Sequence, residues 1–159
     1  MSDFFRWRRG FTLAEMMVTV TILAILAGAA IPIAKTAIQR EKEIELRRTL
    51  RLIREAIDGY KRLADEKKIE EDMDGYPPNL EILVNGVKIK ETNRDGKSSE
   101  KIIRFLRRIP RDPITNSLDW GLRSSQDSPD SQTWGGQNVF DIYTKSRALA
   151  LDGTKYRDW

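Results

Sequence analysis

Two residue types are missing altogether: the 159-residue chain has no cysteine and no histidine. The first absence excludes disulfides and every cysteine-based metal site, although a secreted domain could have used the former. The second removes Ser–His and Cys–His nucleophile pairs and the zinc sites built on imidazole. Few of the usual parts of an active site remain, and the expectation is a protein that is not an enzyme. A concentrated basic patch is also missing. The formal net charge is only +4, and Arg6, Arg8 and Arg9 against Asp3 supply half of it within the first ten residues. That balance is too weak and too mixed for nucleic-acid recognition.

The last absence is local. Between Met16 and Ala34 there is no charged residue, whereas the rest of the chain is dense in Lys, Arg, Asp and Glu. Residues 11–34 are apolar apart from Glu15, and twenty-odd residues at about 1.5 Å each span a hydrocarbon core of about 30 Å. The basic cluster Arg6, Arg8 and Arg9 before this run reads as a topology signal that keeps the N-terminus in the cytoplasm. Pro32 lies near the end of the run, where a helix in lipid tolerates a kink; it can equally mark a plain end to the membrane segment.

From Lys35 the composition switches while the helical character persists. Leu46, Leu50, Ile53, Ile57, Tyr60 and Ala64 recur at spacings of four and three, one face of an amphipathic helix. Charged residues fill the intervening positions. A single helix from Phe11 to about Glu70 would reach roughly 90 Å. Gly75-Tyr76-Pro77-Pro78-Asn79 breaks the pattern. Asn79 can cap a short helix over Leu80–Val84, and Asn85-Gly86 is a turn. Glu91–Ser99 reads as polar and mobile, and Ile102–Ile109 as helical or irregular, stopped by Pro110 and Pro113. Ser117–Ser124 and Asn138–Lys145 are predicted strands, with a polar loop between them and a third short strand within Ala148–Trp159. The expected fold is α+β: a long N-terminal helix packed on a small antiparallel sheet of about three strands. The sequence shows no internal repeat.

The sharpest signal is Arg8-Arg9-Gly10-Phe11-Thr12-Leu13-Ala14-Glu15. This octet closely resembles the prepilin signal of type IV pilins and of the pseudopilins of type II secretion, a resemblance that implies a peptidase cut after Gly10. Gly10 would let an extended backbone enter the peptidase cleft, and a cut before the apolar run would leave the anchor attached. The freed amine of Phe11 would then be positive, one helical turn from Glu15. A carboxylate inside an apolar segment costs about 2.5–3.5 kcal/mol on insertion scales and calls for a partner. Glu15 either snorkels at the cytoplasmic interface or pairs with the Phe11 amine of a neighbouring subunit.

The resemblance implies cleavage by a prepilin peptidase between Gly10 and Phe11, N-methylation at Phe11, subunit registration by Glu15 and a pilin-like fold. The chain would divide into a cleaved leader (1–10), a transmembrane and filament-core helix (11–34), its amphipathic continuation (35–72) and a periplasmic body (73–159). Pro110-Arg111-Asp112-Pro113-Ile114-Thr115-Asn116, Trp134-Gly135-Gly136 and Ala150-Leu151-Asp152-Gly153 more loosely resemble the C-terminal part of major pseudopilins. Membership would make the chain a homopolymer anchored in the bacterial inner membrane. It would meet the prepilin peptidase, minor pseudopilins and the assembly platform of a secretion system.

Major pseudopilins usually bind Ca²⁺ in a C-terminal loop, and Asp119, Asp127, Asp130, Asp141 and Asp152 are ligands of the right kind. Lys145 and Arg147 are poor neighbours for such a site, and the same aspartates can simply cap turns. No cofactor is required by the sequence. Other readings stay open. A type IV pilus subunit fits the same signal. Arg8-Arg9-Gly10-Phe11 also resembles a twin-arginine export signal with a small-residue cleavage site at Ala27-Gly28-Ala29. A signal-anchored protein without an assembly role is another. From a different class comes an exported binding module, with Trp120, Trp134 and Trp159 as its anchors.

Overall fold

The computed structural model describes residues 10–69, 73–92 and 98–159. The chain divides into two compact units, residues 1–39 and 40–159, and helix α1, Leu13–Asp65, contributes to both. It starts at a capping box. Thr12 Oγ1 accepts the Glu15 N–H at 3.2 Å, and Glu15 Oε2 accepts the Thr12 N–H at 3.2 Å. The helix runs through Pro32, whose missing N–H leaves the Gly28 carbonyl without its usual donor. In the first unit the hydroxyls of Thr19, Thr21 and Thr36 donate to the carbonyls of Met16, Met17 and Pro32. Three polar groups among apolar neighbours are thereby satisfied within the helix.

α1 ends in a Schellman motif. The Lys67 N–H donates to Ala64 O and the Lys68 N–H to Leu63 O, with Lys67 in the left-handed region at φ 54°. The pairing satisfies carbonyls that the last turn would otherwise leave free. The helix thus stops at Asp65, short of the expected Glu70.

In the second unit all six residues of the expected stripe are buried: Leu46, Leu50, Ile53, Ile57, Tyr60 and Ala64. All but Ala64 meet Leu83, Leu106, Trp120, Val139, Ile142 and Tyr156 in one core. Helix α2, Glu81–Asn85, lies one residue beyond the expected Leu80–Val84; its N-cap is Leu80, and Asn79 just before it accepts the Ile82 N–H on Oδ1 at 3.0 Å. Gly86 closes it with φ 86° and donates to Ile82 O. A Cβ there would also lie 2.5 Å from the Ile103 carbonyl.

The sheet differs from the expected three strands. Among the described residues two separate two-stranded antiparallel sheets form instead. In one, β1 (Val87–Thr92) pairs with β2 (Ser98–Ile103) in the register Val87 opposite Ile103. In the other, β3 (Gly121–Arg123) pairs with β4 (Asp141–Tyr143), with Leu122 opposite Ile142. The third expected strand shrinks to a single bridge between Leu149 and Lys155. The segment read as polar and mobile contributes to the β1–β2 hairpin at Glu91–Thr92 and Ser98–Ser99, residues 93–97 lying outside the described residues. The run read as helical or irregular begins as the end of β2, its Ile102 paired with Lys88. β3 and β4 are shorter than the expected Ser117–Ser124 and Asn138–Lys145. Ahead of β3 the N–H groups of Asp119 and Trp120 donate to Ser117 Oγ and Leu118 O, local bonds that take the donors a longer strand would use.

Candidate functional site

Gly10 and Phe11 precede α1, and Phe11 is 78 % exposed. The apolar side chains of residues 13–33 are exposed throughout. α1 contains an 18-residue window of mean hydropathy 2.3, none of it buried within the chain. By length and composition it can cross a membrane. Water would not tolerate this much uncovered apolar surface on a free helix, so the surface belongs against lipid or against other helices. Arg6, Arg8 and Arg9, the expected topology residues, lie outside the described residues.

Glu15 is not the orphan that its apolar surroundings imply. Besides the Thr12 N–H, its Oε2 accepts the Thr12 hydroxyl at 3.3 Å, so one carboxylate oxygen holds two local donors. The structure therefore gives Glu15 a resting partner inside its own chain. Thr-x-x-Glu is a capping-box pattern present in the sequence itself. A carboxylate in the first turn also complements the positive end of the helix dipole.

The acidic residues considered for calcium are dispersed over different tasks. Asp127 accepts the N–H groups of Ser124 and Gly135 at 2.7 and 3.1 Å, and these backbone donors hold its carboxyl below the ordinary range. Asp152 accepts the hydroxyl and N–H of Thr154, which lower its pKa with help from Arg47. Asp141 binds Arg54 Nε at 2.7 Å and Arg123 at 3.4 Å. Asp119 binds Lys145 at 2.6 Å, and Asp130 is exposed. Among the described residues no three acidic side chains come together as a metal site would require.

The three described tryptophans of the body spend their indole N–H groups locally, on Pro110 O, Asn138 O and Thr154 Oγ1. Trp120 is a core residue. An aromatic binding surface built on these indoles finds no support in that arrangement.

Two organising residues of the body escaped the sequence. Arg54 on α1 joins Asp141 of β4, the Ile142 carbonyl and the Trp159 carbonyl in one network. Asp112, 1 % exposed, accepts Ile114 N–H and the Thr115 hydroxyl, both at 2.8 Å, and the buried Thr144 hydroxyl. The Pro-x-Asp-Pro segment is thus a turn knotted through a buried carboxylate to the end of β4. Only the residue types at that spacing hinted at it.

Comparison with known proteins bears on both ends of the chain. The prokaryotic N-terminal methylation motif matches residues 8–31. The type II secretion system core protein G of Pseudomonas aeruginosa is 28 % identical over 148 residues, covering 93 % of this chain and 87 % of that protein. No solved structure matches. The chain thus joins a prepilin-type methylation motif to a pilin-like α+β fold, and along nearly its whole length it is similar to a type II secretion major pseudopilin.

Proposed function

We propose that the chain is a structural subunit of a type II secretion pseudopilus. It waits in the inner membrane, anchored by the first half of α1, with its body in the periplasm. A prepilin peptidase cuts between Gly10 and Phe11, and the new N-terminus at Phe11 is methylated. Processed subunits polymerise from an assembly platform, together with minor pseudopilins, into a filament that drives protein export. The observation that carries this reading is the start of α1. Gly10 precedes a capped helix whose apolar surface is exposed and whose only charge before Lys35 is Glu15, and the methylation motif covers the same start of the helix.

In this reading Glu15 exchanges partners. Before assembly Thr12 holds it; in the filament the Phe11 amine of a neighbouring subunit takes over and fixes the axial register. An ion pair in a water-free filament core is stronger than two hydrogen bonds to neutral donors, because the surroundings screen it weakly. Ca²⁺ remains a proposal for the body alone, with Asp127, Asp130, Asp141 and Asp152 as the residues to vary.

The test is the mature N-terminus, read by mass spectrometry from hosts with and without a prepilin peptidase. The expected product is N-methyl-Phe11 in the first host and Met1 or Ser2 in the second. A product starting at Ala30 in both would point to ordinary signal processing and overturn the proposal. Loss of secretion on deletion of the gene, with twitching motility intact, separates a pseudopilus from a type IV pilus.

A further inference from the structure

Apart from its buried stripe, α1 carries an unusual ridge between Ile44 and Glu55. Ile44, Arg48, Arg51 and Glu55 follow at spacings of four, three and four. At 100° per residue they fall on the side opposite Leu46, Ile53 and Ile57. Ile44 is 63 % exposed. Arg48, Arg51 and Glu55 are exposed and make no ion pair or hydrogen bond with any described residue.

Elsewhere on the same unit lies a groove of about 680 Å³. Glu45 and Glu81 line it with acid, Arg108 and Arg111 with base, and Ile109 and Leu118 are among its apolar residues. Glu45, Glu81 and Arg108 make no ion pair with any described residue. Leu118 is 51 % exposed. The segment carrying the two arginines is held to α2 upstream, where Phe105 and Leu106 both donate to Leu83 O.

We infer that the groove receives the α1 ridge of a second copy of this chain. The complementarity is point by point. Arg48 and Arg51 meet the Glu45–Glu81 side, and Glu55 meets the Arg108–Arg111 side, offset along the ridge by about 6–10 Å. Ile44 enters the apolar part and loses the water that it meets on the isolated unit. Groups left unpaired within one copy are all paired between two. The ridge and the groove are different surfaces, so the contact is heterologous and propagates without closing, which is the geometry of a filament. This inference rests on the pseudopilus reading and adds the surface through which the bodies touch.

The absence of native cysteine makes the test clean. Ile44→Cys and Leu118→Cys are introduced together into the full chain, expressed with its cognate secretion genes, and filaments are oxidised and run under non-reducing conditions. The expected result is a ladder of dimers, trimers and higher multiples that neither single variant gives. Arg48→Glu with Arg51→Glu should weaken the ladder tenfold or more, and adding Glu45→Arg with Glu81→Arg should restore it. All these side chains are exposed, so folding is unaffected. Filaments that form normally without a ladder would overturn this surface and leave the pseudopilus reading standing. A dimer band without higher multiples would also overturn it, because the contact would then be closed. Unmodified chain that forms no filaments under these conditions would overturn both.

Discussion

Replacing Asp112 by alanine should destabilise the body by about 3 kcal/mol, and the three donors around it show where that figure comes from. The Thr144 hydroxyl is fully buried, so its lost bond to a charged acceptor costs about 1.5–3 kcal/mol with nothing to replace it. The Ile114 N–H is half-buried and adds about 1 kcal/mol. The Thr115 hydroxyl is exposed, so water takes over and the cost is near zero. Asp112→Asn should be milder, about 1–2 kcal/mol. Its remaining carbonyl keeps the Ile114 N–H, and its amide turns toward the two hydroxyls, which can rotate to accept. The assay is urea unfolding of the full chain in mild detergent, followed by tryptophan fluorescence. Trp120 is well placed to report, since its indole donates to Pro110 O two residues from the substitution. An unchanged denaturant slope would show that the loss is stability and not a changed unfolded state. The reasoning fails if Asp112→Ala loses less than about 1 kcal/mol, or if alanine and asparagine cost the same.

Lys67→Gly should stabilise the end of α1 by about 0.5–1 kcal/mol, because a side chain at φ 54° is strained and glycine is not; thermal unfolding checks it, and a lower midpoint would refute it. Thr12→Ala should cost about 1 kcal/mol of cap. Amide exchange over the first turn of α1 should quicken, with exchange further along the helix unchanged. The carboxyls of Asp127 and Asp152 lie below their ordinary value of 3.8, so they bind protons less readily folded than unfolded. Their contribution to stability is present above pH 3.8 and is lost as pH falls through the lowered values. Asp152→Asn should therefore flatten the acid limb of a stability–pH curve, and an identical limb would refute the assignment.

What could be read in advance follows a physical divide. The apolar run at the start of α1, the stripe from Leu46 to Ala64 and the Asn79 acceptor are local patterns, and composition, a periodicity of 3.6 or a side chain three residues away reveals them. Glu15 was legible as the informative residue, yet its nearest partner, Thr12, was missed though equally local. The sheets were harder. Whether Ile102 belongs to a helix or a strand depends on Lys88 across the hairpin, and no single-segment pattern contains that. Arg54 resembled its charged neighbours on α1 until Asp141, 87 residues away, selected it. Asp112 carried a recognisable motif whose function as a buried acceptor needed Thr144 to become visible. The aspartates considered for calcium are oxygen donors by residue type alone, and only the fold brings up the arginines and turn amides that claim several of those oxygens.

The network that ties α1 to the far end of the chain also dictates when this protein can fold. Arg54 waits for Asp141, and Glu43 waits for Leu151 and Tyr156, contacts separated by up to 113 residues. Closing loops of that length is slow and precedes any reward from the contacts. On the proposed topology the N-terminus stays in the cytoplasm and the segment just after the apolar run emerges first, so the α1 stripe would be exposed long before Val139 and Ile142 arrive to cover it. During that interval Leu46, Ile53 and Ile57 present a sticky surface to every other emerging copy. Assembly of such a protein is therefore a race between the tail reaching its own helix and a neighbour reaching it first. The proposed anchoring of the helix in a bilayer, where copies are spaced by lipid, would favour the tail.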